Sequence, residues 1–161
     1  MGKLTHRTAH ACTYFVTTKT WENREIFRVI VNAEIVMKCL LDYRDHGAYR
    51  LHEFVIMPNH LHLLLTPAKQ SSLEKAMQFI KGGSSHAIHV KRENRIQVWQ
   101  SGFHEWTVRD VRDYEAKRDY IWQNPVTCNL VNKPAEWKFG SAFGKYALDP
   151  MPERLKDGFR G

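Results

Sequence analysis

Residues 55–65 read Val-Ile-Met-Pro-Asn-His-Leu-His-Leu-Leu-Leu, and no other stretch of the chain narrows the possible folds as far. Successive side chains on a β-strand point to opposite faces of the sheet. In a strand over 60–66, Leu61, Leu63 and Leu65 line one face, and His60 and His62 stand side by side on the other. Pro58-Asn59 is a turn pair, and residues 48–57 before it read as a strand of their own, so the two form a hairpin. A sheet built on this hairpin has one face for a core and one that carries two neighbouring imidazoles.

The flanking segments complete a pattern. Residues 11–18, Ala-Cys-Thr-Tyr-Phe-Val-Thr-Thr, are rich in β-formers and read as a first strand. Residues 24–45 place Ile26, Phe27, Ile30, Val31, Ile35, Met37, Cys39 and Leu41 at mostly helical spacing. A second helix opens at Ser71-Ser72-Leu73-Glu74, which has capping-box spacing with Ser71 as the cap. It buries Leu73, Met77 and Ile80, and Gly82-Gly83 predicts a kink or break. Residues 103–109 read as a fourth strand. A last helix fits 110–123, opened by Asp110 and stopped at Asn124-Pro125, because the residue before a proline avoids helical geometry. The order β-α-β-β-α-β is α+β, ferredoxin-like or RRM-like with an antiparallel sheet, and an additional C-terminal helix follows. Such a sheet carries its crossover helices on one face and leaves the other free. The leucines of 60–66 then meet the helices, and the histidines face the open side.

At 161 residues the chain suits one domain, expected over 1–150, with 151–161 as a loose tail. Lys and Arg number 24 against 17 Asp and Glu, and the formal charge of +7 favours a polyanionic partner, nucleic acid first. Cys12, Cys39 and Cys128 are widely spaced and odd in number, so neither a disulfide framework nor a cysteine-rich zinc site is indicated. Buried thiols in a reducing compartment are expected instead. Met1–Ala11 is polar and no apolar run approaches bilayer length, which predicts no membrane partner and a cytoplasmic, nucleoid-associated location. There is no Gly-rich phosphate loop, no G-x-S-x-G elbow and no convincing carboxylate pair.

Neutral imidazole is a good ligand for divalent first-row metals, so His60 and His62 are candidate metal ligands on a rigid strand. On the last helix, at about 100° per residue, Val111, Tyr114, Ile121 and Trp122 form the core stripe. Asp113, Lys117, Tyr120 and Asn124 fall on the opposite side. Tyr120 and Asn124 are i,i+4 neighbours, so a phenol able to act as nucleophile and an amide oxygen able to complete a metal site project together. The alternative is a surface tyrosine with Asn124 capping the helix end. Lys117, beside Tyr120, is a candidate for assisting the phenol. Lys81, Lys91, Arg92 and Arg95, with Trp99 close behind, and also Arg109, are candidate DNA-binding residues, since basic groups contact phosphates and an aromatic ring stacks on a base. A solvated charged face is the competing reading for them. His86 with His89, and His104 with Glu105, are weaker candidates.

Several strings of the chain carry a resemblance. They are Tyr14-Phe-Val-Thr17, Val55-Ile-Met-Pro-Asn-His-Leu-His-Leu-Leu-Leu65, Lys81-Gly82, Val98-Trp-Gln-Ser-Gly-Phe103, Val108-Arg-Asp110, Tyr120-Ile-Trp-Gln-Asn-Pro-Val126 and Leu130-Val131. In order and spacing, over residues 12–145, the chain resembles the REP-associated tyrosine transposases, a branch of the IS200-like HUH single-tyrosine transposases. The resemblance implies that His60 and His62 are metal ligands, that Tyr120 is the nucleophile, and that Asn124 is the third ligand where relatives carry Gln. It implies Mg²⁺ or Mn²⁺ as the metal and single-stranded DNA, folded into an imperfect repetitive palindromic hairpin, as the substrate. It implies cleavage and joining through a 5′-phosphotyrosine, by a monomer or a homodimer. Two departures stand out: Thr127-Cys128-Asn129 replaces the family's basic residue, Ala and Gly, and a second glycine, Gly83, follows Gly82. The rival readings are a non-catalytic hairpin-binding module on the same sheet and a zinc hydrolase, which needs a third strong ligand such as His104.

Overall fold

A computed structural model describes residues 12–157. β1 (Thr13–Lys19) leads through two 3₁₀ turns, Trp21–Asn23 and Ile26–Arg28, into α1 (Ile30–Asp45). β2 (Tyr49–Met57) and β3 (His60–Pro67) make the expected hairpin, α2 (Leu73–Arg92) crosses back, and β4 (His104–Val108) completes the sheet. α3 (Val111–Thr127) and a short α4 (Glu153–Lys156) follow. The strand order is β2-β3-β1-β4, with each neighbouring pair antiparallel, which is the α+β arrangement the element order implies. β3 and β1 hold the centre, so His62 stands opposite Thr17, and His60 opposite Lys19.

Leu61, Leu63 and Leu65 are fully buried in one core with Val36 and Leu40 of α1 and Met77 and Ile80 of α2. The other face is not free, contrary to the expectation. Leu64, Val55 and Met57 also point that way, and apolar surface of this extent needs a second layer. α3 and the C-terminal segment supply it through Tyr114, Ile121 and Leu155. Of the tail 151–161, the structure describes residues 151–157. Pro152 and Leu155 are buried, and Arg154 donates to Thr13 Oγ1 at 2.7 Å. The polar Met1–Ala11 segment, the expected strand start at Ala11 and the last four positions, 158–161, lie outside the described residues.

β2 contains a bulge between Leu51 and Glu53. Tyr49 and Leu51 before it, and Phe54 and Ile56 after it, all enter the helical core. The extra residue shifts the alternation by one and aims His52 and Glu53 together at α3. The His52 ring lies 6.0 Å from that of Tyr114, and the Trp122 indole donates to Glu53 at 2.8 Å.

Three local expectations need correction. α2 runs through Gly82-Gly83 without a break. A Cβ on Gly83 meets Tyr43 at 2.9 Å and Cys39 Sγ at 3.2 Å, so this glycine serves the close approach of α1 and α2 and not a kink. The α2 cap is Ser72, whose hydroxyl accepts from Lys75 N–H at 3.1 Å, and not Ser71. α3 does not stop before Pro125; it continues to Thr127, with Cys128 N–H donating to Asn124 O at 3.0 Å. The missing proline N–H costs one bond, and Pro125 is buried against Trp137 and Pro134. The glycine absent after α3 is replaced by Asn129 at φ 57°, a conformation asparagine tolerates. Of the expected buried thiols, Cys39 is half-buried and Cys128 is exposed. Among the described residues no helix is long and apolar enough to cross a membrane.

Candidate active site

The site forms where the covered half of the sheet face gives way to solvent. A cavity of about 770 Å³ there is lined by Phe15, Lys19, His60, His62, Lys117 and Tyr120 among others. β3 presents the two histidines with ring centroids 4.7 Å apart. α3, capped by Asp110 at 2.7 Å to the Asp113 N–H, lies across the sheet and delivers Tyr120. Its ring is 53 % exposed and stands 5.2 Å from the His62 ring and 5.9 Å from that of Phe15. In this chain Tyr120 approaches the histidines of the same chain.

The Asn59 contact sets the tautomer of His60. Asn59 Oδ1 is an acceptor and lies 2.7 Å from His60 Nδ1, which makes that nitrogen the protonated one and leaves the lone pair on Nε2. Thr17 Oγ1 lies 2.8 Å from His62 Nδ1. His62 is only 4 % exposed, and its Nε2 is buried without a hydrogen-bond partner. A buried ring nitrogen left in this state is costly unless something is bound there. Phe15 stacks on the same ring at 5.3 Å and fixes its plane. Burial holds His62 far below the ordinary imidazole range, at about 3, with His60 adding to the effect. Burial also lowers His60; the Asn124 side chain opposes this and Lys19 adds to it. Both rings are therefore neutral, the form that coordinates a metal.

Asn124 follows Tyr120 by one turn of the same continuous helix and is buried, whereas Tyr120 is exposed. Asn124 Oδ1 lies 4.0 Å from Cys128 Sγ, and the Asn124 side chain acts on His60 as well. The two neutral imidazoles are the nitrogen donors that line this pocket. Among the described residues no cluster of three or more His, Cys, Asp or Glu is gathered as a metal site, and His104, exposed on β4, does not supply the third ligand that a zinc hydrolase needs. Lys117 lines the cavity with its Nζ 5.2 Å from the centre of the Phe15 ring and 4.4 Å from that of Trp106.

The candidate DNA-binding residues divide. Trp99 is buried, packs on Phe27 at 5.0 Å and donates to Ser84 Oγ at 3.0 Å, so it cannot stack on a base. Lys81 is half-buried and ties the following loop to α2, donating to Gln100 O at 2.8 Å and Gly102 O at 2.5 Å. Lys91, Arg92 and Arg95 are exposed at and beyond the end of α2, in the layer across the sheet from His62. Arg109 is exposed beside the start of α3. His89 Nε2 donates to Ile96 O, tying the end of α2 to the loop that follows. Sequence reasoning missed Thr17, Phe15 and Trp106. The first two lie at register positions opposite His62 and Leu64, which only the strand pairing reveals.

A family model described as "Transposase IS200 like" matches residues 8–124. A REP-associated tyrosine transposase of Escherichia coli (strain K12) is 24 % identical over 148 residues, covering 84 % of this chain and 87 % of that protein. An uncharacterized protein of Haemophilus influenzae is 26 % identical over 143 residues, covering 70 % of this chain and 79 % of its own length. Among solved structures, a REP-associated tyrosine transposase bound to a REP hairpin superposes with a TM-score of 0.69 at 22 % identity, over 89 % of this chain and 87 % of that one. This likeness shows a shared fold.

Proposed function

The chain belongs to the IS200-like transposase family, and from that premise we propose that it is a metal-dependent single-stranded DNA transesterase that cuts and rejoins strands beside hairpin-forming palindromes. The observation that carries this reading is the buried, unpartnered Nε2 of His62, with a second imidazole 4.7 Å away and the exposed Tyr120 ring 5.2 Å away. The residues fit a divalent cation: the neutral imidazoles of His60 and His62 would hold it, completed by the Asn124 amide oxygen. Mg²⁺ or Mn²⁺ is the metal, and Mn²⁺ suits imidazole nitrogen better. When bound, the ion polarises a phosphate oxygen as a Lewis acid.

The chain's own groups do the rest. Tyr120 Oη attacks the scissile phosphorus, the P–O3′ bond breaks, and the strand leaves with a free 3′-hydroxyl while its 5′-phosphate stays on the tyrosine. One phosphate ester replaces another, so a second 3′-hydroxyl can reverse the step and join strands without ATP. A phenol must lose its proton to attack, and the Lys117 ammonium in the same cavity stabilises the developing phenolate. Asn59 holds His60 in the tautomer that leaves its Nε2 lone pair free, and Thr17 orients the His62 ring. The hairpin substrate is inferred from the E. coli relative and the hairpin-bound structure.

The test is incubation with a labelled hairpin carrying single-stranded flanks, with and without Mn²⁺. A metal-dependent, denaturation-resistant protein–DNA adduct is expected. Hairpin binding indifferent to metal, with no adduct, identifies a non-catalytic binding module instead.

A further inference from the structure

We propose that Trp106 is a stacking platform for an unpaired nucleobase of the strand entering the Tyr120 cavity, a role that rests on the single-stranded DNA reading above. Trp106 lies on the edge strand β4 and is 55 % exposed. A lone exposed aromatic is ordinary; what sets this one apart is how it is held. Its indole N–H donates to Asp113 Oδ2 at 3.1 Å, and the same carboxylate oxygen accepts from Arg109 N–H at 3.4 Å. The Asp113 backbone is in turn fixed by the Asp110 cap at 2.7 Å. The ring is therefore anchored at its polar edge by the first turn of α3 and is not supported by the core. A large aromatic surface is held rigidly in solvent, so little side-chain freedom remains to be lost when a base lands on it.

Its position faces the chemistry. Trp106 pairs with Phe15 across β1 and β4, so both rings share the His62 face of the sheet. Lys117 Nζ sits 4.4 Å from the centre of the Trp106 ring and 5.2 Å from that of Phe15, and the Phe15 ring is 5.9 Å from Tyr120. A base on the indole thus lies next to a cation that can meet its phosphate, at the rim of the cavity that holds the nucleophile. Of the nearby acids, Asp113 is already engaged, and Glu105 is one residue away on the strand and so points to the other face. An unpaired base and its phosphate match this pairing of aromatic face and cation. A duplex hides its base faces in the stack, so the platform selects the single-stranded part of the substrate.

The test uses the full chain carrying Tyr120→Phe, to prevent covalent capture, and two fluorescent DNA probes: a blunt hairpin, and the same hairpin with thymidine extensions. Trp106→Ala is expected to weaken the extended probe about 5- to 150-fold, the range of one lost stack, and to leave the blunt hairpin unchanged. Trp106→Phe keeps an aromatic face without the N–H and restores most of the affinity. Undiminished affinity of Trp106→Ala for the extended probe, or an equal loss on both probes, overturns the platform alone. If the Trp106-containing parent binds neither probe, the single-stranded DNA reading falls as well.

Discussion

His62 is held by Thr17 at Nδ1 and by Phe15 on its ring face, and its buried Nε2 has no hydrogen-bond partner. Thr17→Val removes the partner that orients the ring and is expected to lower Mn²⁺ affinity about 10- to 100-fold, as losses of a ligand's hydrogen-bond partner do. Isothermal titration of the two proteins reads this, with circular dichroism confirming an unchanged fold. Unequal burial of histidines also gives a pH dependence. His62 is held at about 3, and burial lowers His52 as well, against the opposing pull of the Asp149 and Pro150 carbonyls. Both bind a proton less readily in the folded chain than in the unfolded chain, where they take up protons below about 6.5. The unfolded state therefore binds more protons, and stability falls as pH drops below that value. The urea midpoint of the metal-free protein is expected to be lower at pH 5 than at pH 7, and His52→Gln should flatten the slope. The His-Leu-His pair was legible in the sequence because strand alternation needs only local spacing. Thr17 was not, because it faces His62 through a pairing 45 residues apart. Trp99 misled for a related reason: a tryptophan among basic residues looks like a base platform until its indole is found inside the core.

The elements show where propensity yields to packing. Gly82 and Gly83 both weaken a helix on intrinsic grounds, yet their surroundings differ. A Cβ at Gly82 meets nothing within 4 Å, whereas at Gly83 it meets the Tyr43 ring at 2.9 Å. Gly82→Ala is expected to stabilise the protein by about 1 kcal/mol. Gly83→Ala should destabilise it by about 1–3 kcal/mol, because the overpacking of α1 against α2 outweighs the gain in propensity. Chemical denaturation of the two variants separates these outcomes. Pro125 is the matching case in α3: its local signal to stop is overridden by burial of the helix's last turn under the chain that follows. The β2 bulge was illegible for the opposite reason, since an apolar strand with one inserted residue still reads as an apolar strand. Its effect is to turn His52 and Glu53 toward α3, and the Glu53–Trp122 bond clamps the helix two residues from Tyr120.

The whole molecule is one sheet used twice. The helical layer buries the leucine face, and the layer of α3 and the C-terminal segment covers only part of the histidine face. The uncovered part is the cavity. Element order made the first layer foreseeable. The second was not, because a helix that follows a completed β-α-β-β-α-β unit carries no signal of which face it will cover. The C-terminal segment is tied in by Arg44, which bonds Asp149 at 3.0 Å, and by the buried Leu155. Leu155→Ala is expected to cost about 2–5 kcal/mol and, by loosening the layer that holds α3, to lower Mn²⁺ affinity as well. The formal charge of +7 adds a long-range attraction to DNA, so hairpin affinity should fall steeply between low and moderate salt. All of this converges on one bond, between Tyr120 Oη and a DNA 5′-phosphate. Proteolysis and mass spectrometry of the Mn²⁺-dependent adduct should place a phosphate-linked nucleotide on the peptide containing Tyr120, and Tyr120→Phe should give no adduct while still binding the hairpin. An adduct on Tyr114 or any other residue, or undiminished cleavage by Tyr120→Phe, contradicts the account.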